Sequence, residues 1–395
     1  MHTVVRFKSL LVFRRHVDSF AQVPYLFREA GIEVHAAGTD YTRSIRFSRN
    51  IAAFHLLPYE ADRFAESLLQ TLESLDFDFV IFVDEPALTA VYNSKQLNQF
   101  APWLPFPIGS ELVDCIGSKV GFQRFMERHG LATPKFLVAA GFASLREAVA
   151  GMGFPCVIKT TQSTSGHGVY LLKDAAEFES ALEKLPHEGE YVVQEFIEGQ
   201  TAAVTFLSFK GVLKSYLVAT KSIALDGGKG PSIAARILDH EEAGSICREI
   251  ARLGNLTGIT GLDIMIDARG RAYGIDPHFG RMTTHIHFGQ YGGIHFGHLL
   301  RECLEGDLSE KPPAKGGHAL VKYPECISLA FQGGLPRLLR EFPPFKKGTH
   351  YLICQPGETP LAFIQGLLAI LSNLRCIAGA WKAGIRKWVQ QKNAG

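Results

Sequence analysis

The chain has 395 residues, 46% of them apolar and 20% charged, with a net charge of +2. That length suits two or three domains with sizeable cores, and so balanced a charge gives no argument for a nucleic-acid partner. Seven cysteines without a C-x-x-C pair argue against a disulfide framework and a zinc ribbon, and point to a reducing, cytoplasmic setting. Arg6, Lys8, Arg14 and Arg15 interrupt the first apolar stretch, unlike a signal peptide, and no uninterrupted apolar run is long enough to span a bilayer.

Residues 1 to about 112 read as an open-sheet α/β unit. Strands are expected at 9–13, 32–36 and 77–83, and helices at 18–30 and 61–75, the latter with Phe64, Leu68, Leu72 and Leu75 on one face. Asp84 and Glu85 follow the third strand, where open sheets place ligands, although a solvated loop explains them as well. Arg43, Arg46 and Arg49 recur at spacing three and read as a solvated basic face or a contact for an acidic substrate.

Ser118 is a candidate N-cap for a helix that begins at Lys119, buries Phe122, Phe125 and Met126, and stops at Gly130. A strand at 135–138 and a short helix at 144–152, capped by Ser144, come next. Then comes FPCVIKTTQSTSGHGV, residues 154–169: an apolar strand, Lys159, and a run of hydroxyls and glycines. Small residues let backbone N–H groups approach an anion, so this is either a polyphosphate clamp or an ordinary hairpin with a lysine.

A helix is expected at 177–185, a strand at 191–197, paired strands at 203–209 and 212–218, a flexible loop at 227–230, and a helix at 241–253. Residues 261–266 and 271–275 form a hairpin. Asp263 lies inside the apolar first strand, where a carboxylate is costly unless paired or metal-bound. Asp276 ends the second strand and His278 follows at spacing two, so alternation can place all three on one face. Two carboxylates and one further ligand suit Mg²⁺, an oxygen-seeking ion. Arg281, Thr283 and Thr284 could bind an anion, and the histidines at 278, 285, 287, 295 and 298 read mostly as pocket or packing residues.

In order and spacing these features resemble the ATP-grasp superfamily, in its carboxylate–amine ligase branch, with carbamoyl phosphate synthetase and biotin carboxylase as relatives. Four stretches carry the resemblance: Lys119 before GFQRFMERHG; Lys159 with TTQSTSGHGV; the strand VVQEFIEG at 192–199; and GLDIMIDARGRAYGIDPHFGR at 261–281. The resemblance implies an ATP-grasp fold at 113–305 with a lid at roughly 132–193. A Rossmann-like domain precedes it at 1–112, and a C-terminal extension with an amphipathic helix follows at 306–395. It implies ATP contacts at Lys119, Lys159, Ser165, Gly166, Gly168, Gln194, Glu195, Phe196 and Ile197. Mg²⁺, with Mn²⁺ as second candidate, falls to Asp263, Asp276 and His278, and catalysis to Lys159 and Arg281. The implied reaction activates a carboxylate as an acyl phosphate and joins it to an amine. A non-catalytic ATP-binding regulator or membrane-peripheral scaffold on the same fold is the alternative.

The chain departs from the family at three points. Asp276 and His278 stand where Glu and Asn are usual, which leaves metal choice and number open. Gln200, Thr201 and Ala202 follow the hinge glycine, where a ribose-holding glutamate is common. The flap is less glycine-rich than in many members. Beyond 305, residues 360–390 form the longest helical candidate, with a stripe through Leu361, Ile364, Leu368, Leu371, Leu374, Ile377, Trp381, Ile385 and Trp388. Lys382, Arg386 and Lys387 gather near its end, which suits either an anionic membrane face, at the inner side of the membrane, or packing on the chain's own domain or a homodimer partner.

Overall fold

The computed structural model describes residues 7–15, 17, 20–161, 168–225 and 232–393, with backbone alone from 377 onward. Its first unit is a parallel sheet of β1 (Phe7–Val12), β2 (Ile32–Gly38), β3 (Ala53–Leu56) and β4 (Phe79–Phe82), in the order β3-β2-β1-β4. β1 and β4 are apolar through most of their length because both faces are covered. The helix Ala61–Ser74 turns Phe64, Leu68 and Leu72 inward at helical spacing. The helix expected at 18–30 spans only Val23–Glu29: Pro24 lies in its first turn, where a residue without an N–H is tolerated.

The second unit is a small antiparallel sheet of β5 (Phe136–Ala140), β6 (Cys156–Thr160), β7 (Val169–Leu172) and β8 (Glu190–Glu195), ordered β5-β8-β6-β7. It has its own core, in which Leu145, Val149, Ile158, Phe178, Tyr191 and Val193 meet. The helix expected to begin at Ser144 begins at Gly141, and no side chain caps it. Gly141 takes φ +74, a turn only glycine makes cheaply, so the helix starts directly after β5.

The largest sheet holds β9 (Gly199–Phe209), β10 (Val212–Thr220), β11 (Ile223–Ala224), β12 (Ser232–Leu238), β13 (Gly258–Asp267), β14 (Ala272–Pro277), β15 (Ala319–Lys322) and β16 (Thr349–Leu352). Its order is β14-β13-β9-β10-β12-β15-β16, with β11 on β12. Lys210 and Gly211, both at positive φ, make the two-residue turn between β9 and β10 that matches strand twist. The helix Glu241–Gly254 packs Ile246, Cys247 and Ile250 into one core with Val204 and Phe206 of β9. Leu207 and Leu217 share the other core with Leu11 and Val34 of the first unit.

The chain beyond residue 305 does not stand apart as an extension. β15 pairs antiparallel with β12, and β16 parallel with β15, so these residues finish the large sheet. The segment also grips the first unit. Buried Glu358 accepts from the Ser48 hydroxyl and the Asn50 amide, each at 2.8 Å through Oε1, and Gln22 donates to the Ile353 carbonyl at 3.1 Å. The last helix, Thr359–Asn393, starts buried at Leu361 and Ala362, but Phe363, Leu367, Leu368, Leu371 and Leu374 are exposed. Residues Thr359–Cys376 are long and apolar enough to cross a membrane, by length and composition alone.

Candidate functional site

The hairpin β13–β14 supplies the centre. Asp263 and Asp276 are directly opposed across the ladder, which places both carboxylates on one face. The helix Lys119–Arg128 lies close against this hairpin: a Cβ at Gly274 would meet Met126 Cε at 2.7 Å and Phe122 Cζ at 3.1 Å. Ser118 caps that helix by accepting from the Gly121 N–H at 3.0 Å. The packing brings buried Lys119 to 3.7 Å from Asp276 Oδ1.

Lys159, on β6 of the small sheet, reaches the same place from the other side. Its Nζ donates to the Ile275 carbonyl at 2.8 Å. Burial pushes this ammonium down to about 8; Asp276 pulls it back up, and Lys119 opposes it. Beyond Lys159, the Thr160 N–H bonds the Gly168 carbonyl at 2.9 Å, closing the base of the flap. Ser165 and Gly166 lie outside the described residues, as does the loop at 227–230.

Of the expected adenine strand, Gln194 is buried on β8, and Glu195 ends it with its N–H on the Lys135 carbonyl at 3.0 Å. Phe196 and Ile197 fall between β8 and β9, outside both ladders, with Phe196 exposed.

A chain of polar contacts runs away from the hairpin. Asp263 pairs with Lys221 and lies 3.3 Å from His278 Nε2. Burial alone would raise its carboxyl; the Lys221 ammonium and the His278 imidazole outweigh that and hold it below the usual carboxylate range. Arg281 Nη2 donates to His278 Nδ1 at 2.6 Å, and Arg281 Nε meets Glu85 Oε2 at 3.3 Å. A guanidinium only donates, so Nδ1 accepts and Nε2 carries the proton that faces Asp263. In this arrangement His278 links Arg281 to Asp263. Asp263, Asp276 and His278 each bring a ligand atom within 4.8 Å of the others. The two carboxylates fit a hard divalent cation, whereas the protonated Nε2 offers it no lone pair.

Two features were not evident in the sequence. Lys221 follows β10 just as Lys159 ends an apolar run, and that position was the available signal. Asp84 is buried rather than solvated: it caps the helix Glu85–Tyr92 and accepts from the Arg14 and Arg15 N–H groups at 3.0 and 2.6 Å. Arg43 pairs with Asp40 at 3.3 Å on the surface, and Arg46 lies over the Phe47 ring.

The ATP-grasp domain family matches residues 124–270. A formate-dependent phosphoribosylglycinamide formyltransferase of Nitratiruptor sp. is 38% identical over 136 residues, 33% of this chain and 31% of that protein. A D-alanine–D-alanine ligase of Thermotoga petrophila is 28% identical over 162 residues, 37% of this chain and 54% of that protein. The matches thus span less than two thirds of these relatives. Among solved structures, an N5-carboxyaminoimidazole synthetase from Staphylococcus aureus complexed with ADP aligns with a TM-score of 0.63 at 10% identity, over 80% of this chain and 81% of that one. An L-amino acid ligase from Bacillus licheniformis aligns with a TM-score of 0.55 at 19% identity, over 77% and 78%. Most of the chain therefore shares this architecture, and residues 124–270 match the ATP-grasp domain family.

Proposed function

We propose that this chain is an ATP- and Mg²⁺-dependent ligase that activates a carboxylate as an acyl phosphate and joins it to an amine. The observation that carries the reading is the convergence of Lys119 from a helix, Lys159 from the small sheet, and Asp263 and Asp276 from the large sheet on one cleft. The S. aureus relative was solved with ADP, and the formyltransferase, D-alanine–D-alanine ligase and L-amino acid ligase names fit acyl-transfer chemistry.

In the first step a substrate carboxylate oxygen attacks the γ-phosphorus of ATP, and ADP leaves. Lys119 and Lys159 hold the phosphates, and Arg281, steadied by Glu85 and His278, faces the transferring group. In the second step an amine nitrogen attacks the acyl carbon, phosphate leaves, and the nitrogen gives up its proton. Asp263 and Asp276 would hold the metal, which would supply charge neutralisation for the polyphosphate; His278 would join them only in the tautomer that leaves Nε2 a lone pair. The small sheet, with Gly168 and the flap, acts as the lid that excludes water from the acyl phosphate, and residues 194–197 receive the adenine. We place the enzyme in the cytoplasm.

The test is ADP release from the full chain with Mg·ATP and a panel of carboxylic acids, using hydroxylamine as a general amine to trap the acyl phosphate as a hydroxamate. Acid-dependent release with hydroxamate supports the reading. Tight Mg·ATP binding without release across the panel would favour a non-catalytic ATP-binding protein.

A second reading concerns the last helix. From 359 to 395 the sequence holds Arg375, Lys382, Arg386, Lys387 and Lys392 and no acidic residue, beside the exposed Phe363, Leu367 and Leu371. This combination fits peripheral contact with an anionic bilayer. Co-sedimentation of the full chain with phosphatidylglycerol vesicles, lost in Phe363→Ser/Leu367→Ser, supports it; self-association without vesicles would assign the face to a homodimer.

A further inference from the structure

Lys322 ends β15, outside the segment that the ATP-grasp family matches, and is 2% exposed. By alternation along β15 its side chain leaves the sheet on the face of Leu320, which packs in one core with Met282 and Ile286. Its Nζ donates to Thr284 Oγ1 at 3.3 Å, and among the described residues no carboxylate lies within ion-pair distance of it. A buried ammonium held by one hydroxyl is costly. Burial lowers its pKa, Glu325 compensates in part, and Lys221 adds to the repulsion.

His285 stands beside it, 3% exposed, with Nδ1 3.5 Å from the same Thr284 hydroxyl. That hydroxyl accepts from Lys322, so its proton is free for Nδ1, and His285 Nε2 becomes the N–H donor. This Nε2 is buried and has no hydrogen-bond partner. The groups whose fields act on His285 are Lys322, Lys221, Asp263 and His278.

We propose that Lys322, Thr284 and His285 form an anion subsite for a second oxyanion of the substrate. This would be a carboxylate or a phosphate remote from the carboxylate being activated, a role that rests on the ligase reading above. An oxyanion there would pair the ammonium and receive the orphaned imidazole N–H in one step. The acid substrate, or the amine that meets it, would then carry an extra negative group.

Calorimetry on the full chain tests this with Mg·ADP first, and then with succinate, butyrate and inorganic phosphate, each with and without Mg·ADP. Succinate or phosphate should bind about tenfold or more tighter than the monoanion butyrate. A preference for succinate assigns a carboxylate, and a preference for phosphate assigns a phosphate. Lys322→Met should remove that advantage and leave Mg·ADP affinity unchanged, and Lys322→Arg should restore part of it. If Lys322→Met does not fold, Thr284→Val, which keeps the ammonium, should still reduce the advantage. Succinate and phosphate binding no better than butyrate, or an advantage that survives both variants, would overturn the subsite. Anion discrimination without Mg·ADP binding would support the subsite while refuting the ligase reading.

Discussion

Glu358→Gln is expected to make the chain more stable at alkaline pH and to flatten its pH dependence. Glu358 is fully buried, with Oε1 taking both the Ser48 and Asn50 donors, while Oε2 has no partner. Burial raises its carboxyl from 4.5 to about 7, against the pull of those two hydrogen bonds. Between these values the folded chain holds a proton that the unfolded chain has lost. Stability from this group is therefore fully present below 4.5 and declines as pH rises through about 7. At 1.36 kcal/mol per pH unit the full decline is about 3 kcal/mol. The amide mimics the neutral carboxyl, so the variant should match the wild type near pH 5 and exceed it by up to that amount at pH 8. For a chain of this size that is a Tm difference of about 4 °C. Thermal unfolding of both proteins at pH 5, 6, 7 and 8 provides the measurement. Parallel Tm–pH curves, or a variant less stable at pH 8, would refute the reasoning.

Lys159→Met should weaken Mg·ATP binding by about 10- to 100-fold, the worth of a charged hydrogen bond or two, with Tm nearly unchanged. Calorimetry that finds wild-type affinity would remove Lys159 from the phosphate site. Lys221→Ala leaves Asp263 short of its main counter-charge and should cost about 3–5 kcal/mol in urea denaturation, and adding Asp263→Asn should recover part of the loss. His278→Asn tests the imidazole as a link between Arg281 and Asp263. The relative effect of Mg²⁺ and Mn²⁺ on ADP release should match that of the wild type, and a marked shift toward Mg²⁺ would show that the ring ligates the metal.

Local features of the site were legible in the sequence because they follow from short-range geometry. The turn at Asp267–Gly270 and the alternation of β13 and β14 put Asp263 opposite Asp276, and two residues more put His278 beside them. Lys119 could be placed because Ser118 marks the helix start. What escaped depends on distant partners. Lys221 meets Asp263 across 42 residues of sequence, and its place after the apolar β10 is a signal that does not name the partner. β15 and β16 are four residues each, too short for a periodic signal; β15 is placed by β12, far earlier in the chain, and β16 by β15. Asp84 was ambiguous because its partners, the Arg14 and Arg15 N–H groups, are backbone atoms that carry no side-chain signature.

The two lysines of the cleft answer to different cores. Lys119 is fixed to the hairpin by the close seat of its helix on Gly274, within the core that also holds Leu262 and Ile264. Lys159 belongs to a sheet whose interior, around Ile158, Tyr191 and Val193, is assembled without either strand of that hairpin. One jaw of the cleft is thus built with the carboxylates proposed for the metal, and the other carries its own foundation. A substitution such as Val193→Ala would retune the second jaw alone, so the placement of Lys159 and the geometry at the carboxylates can vary independently.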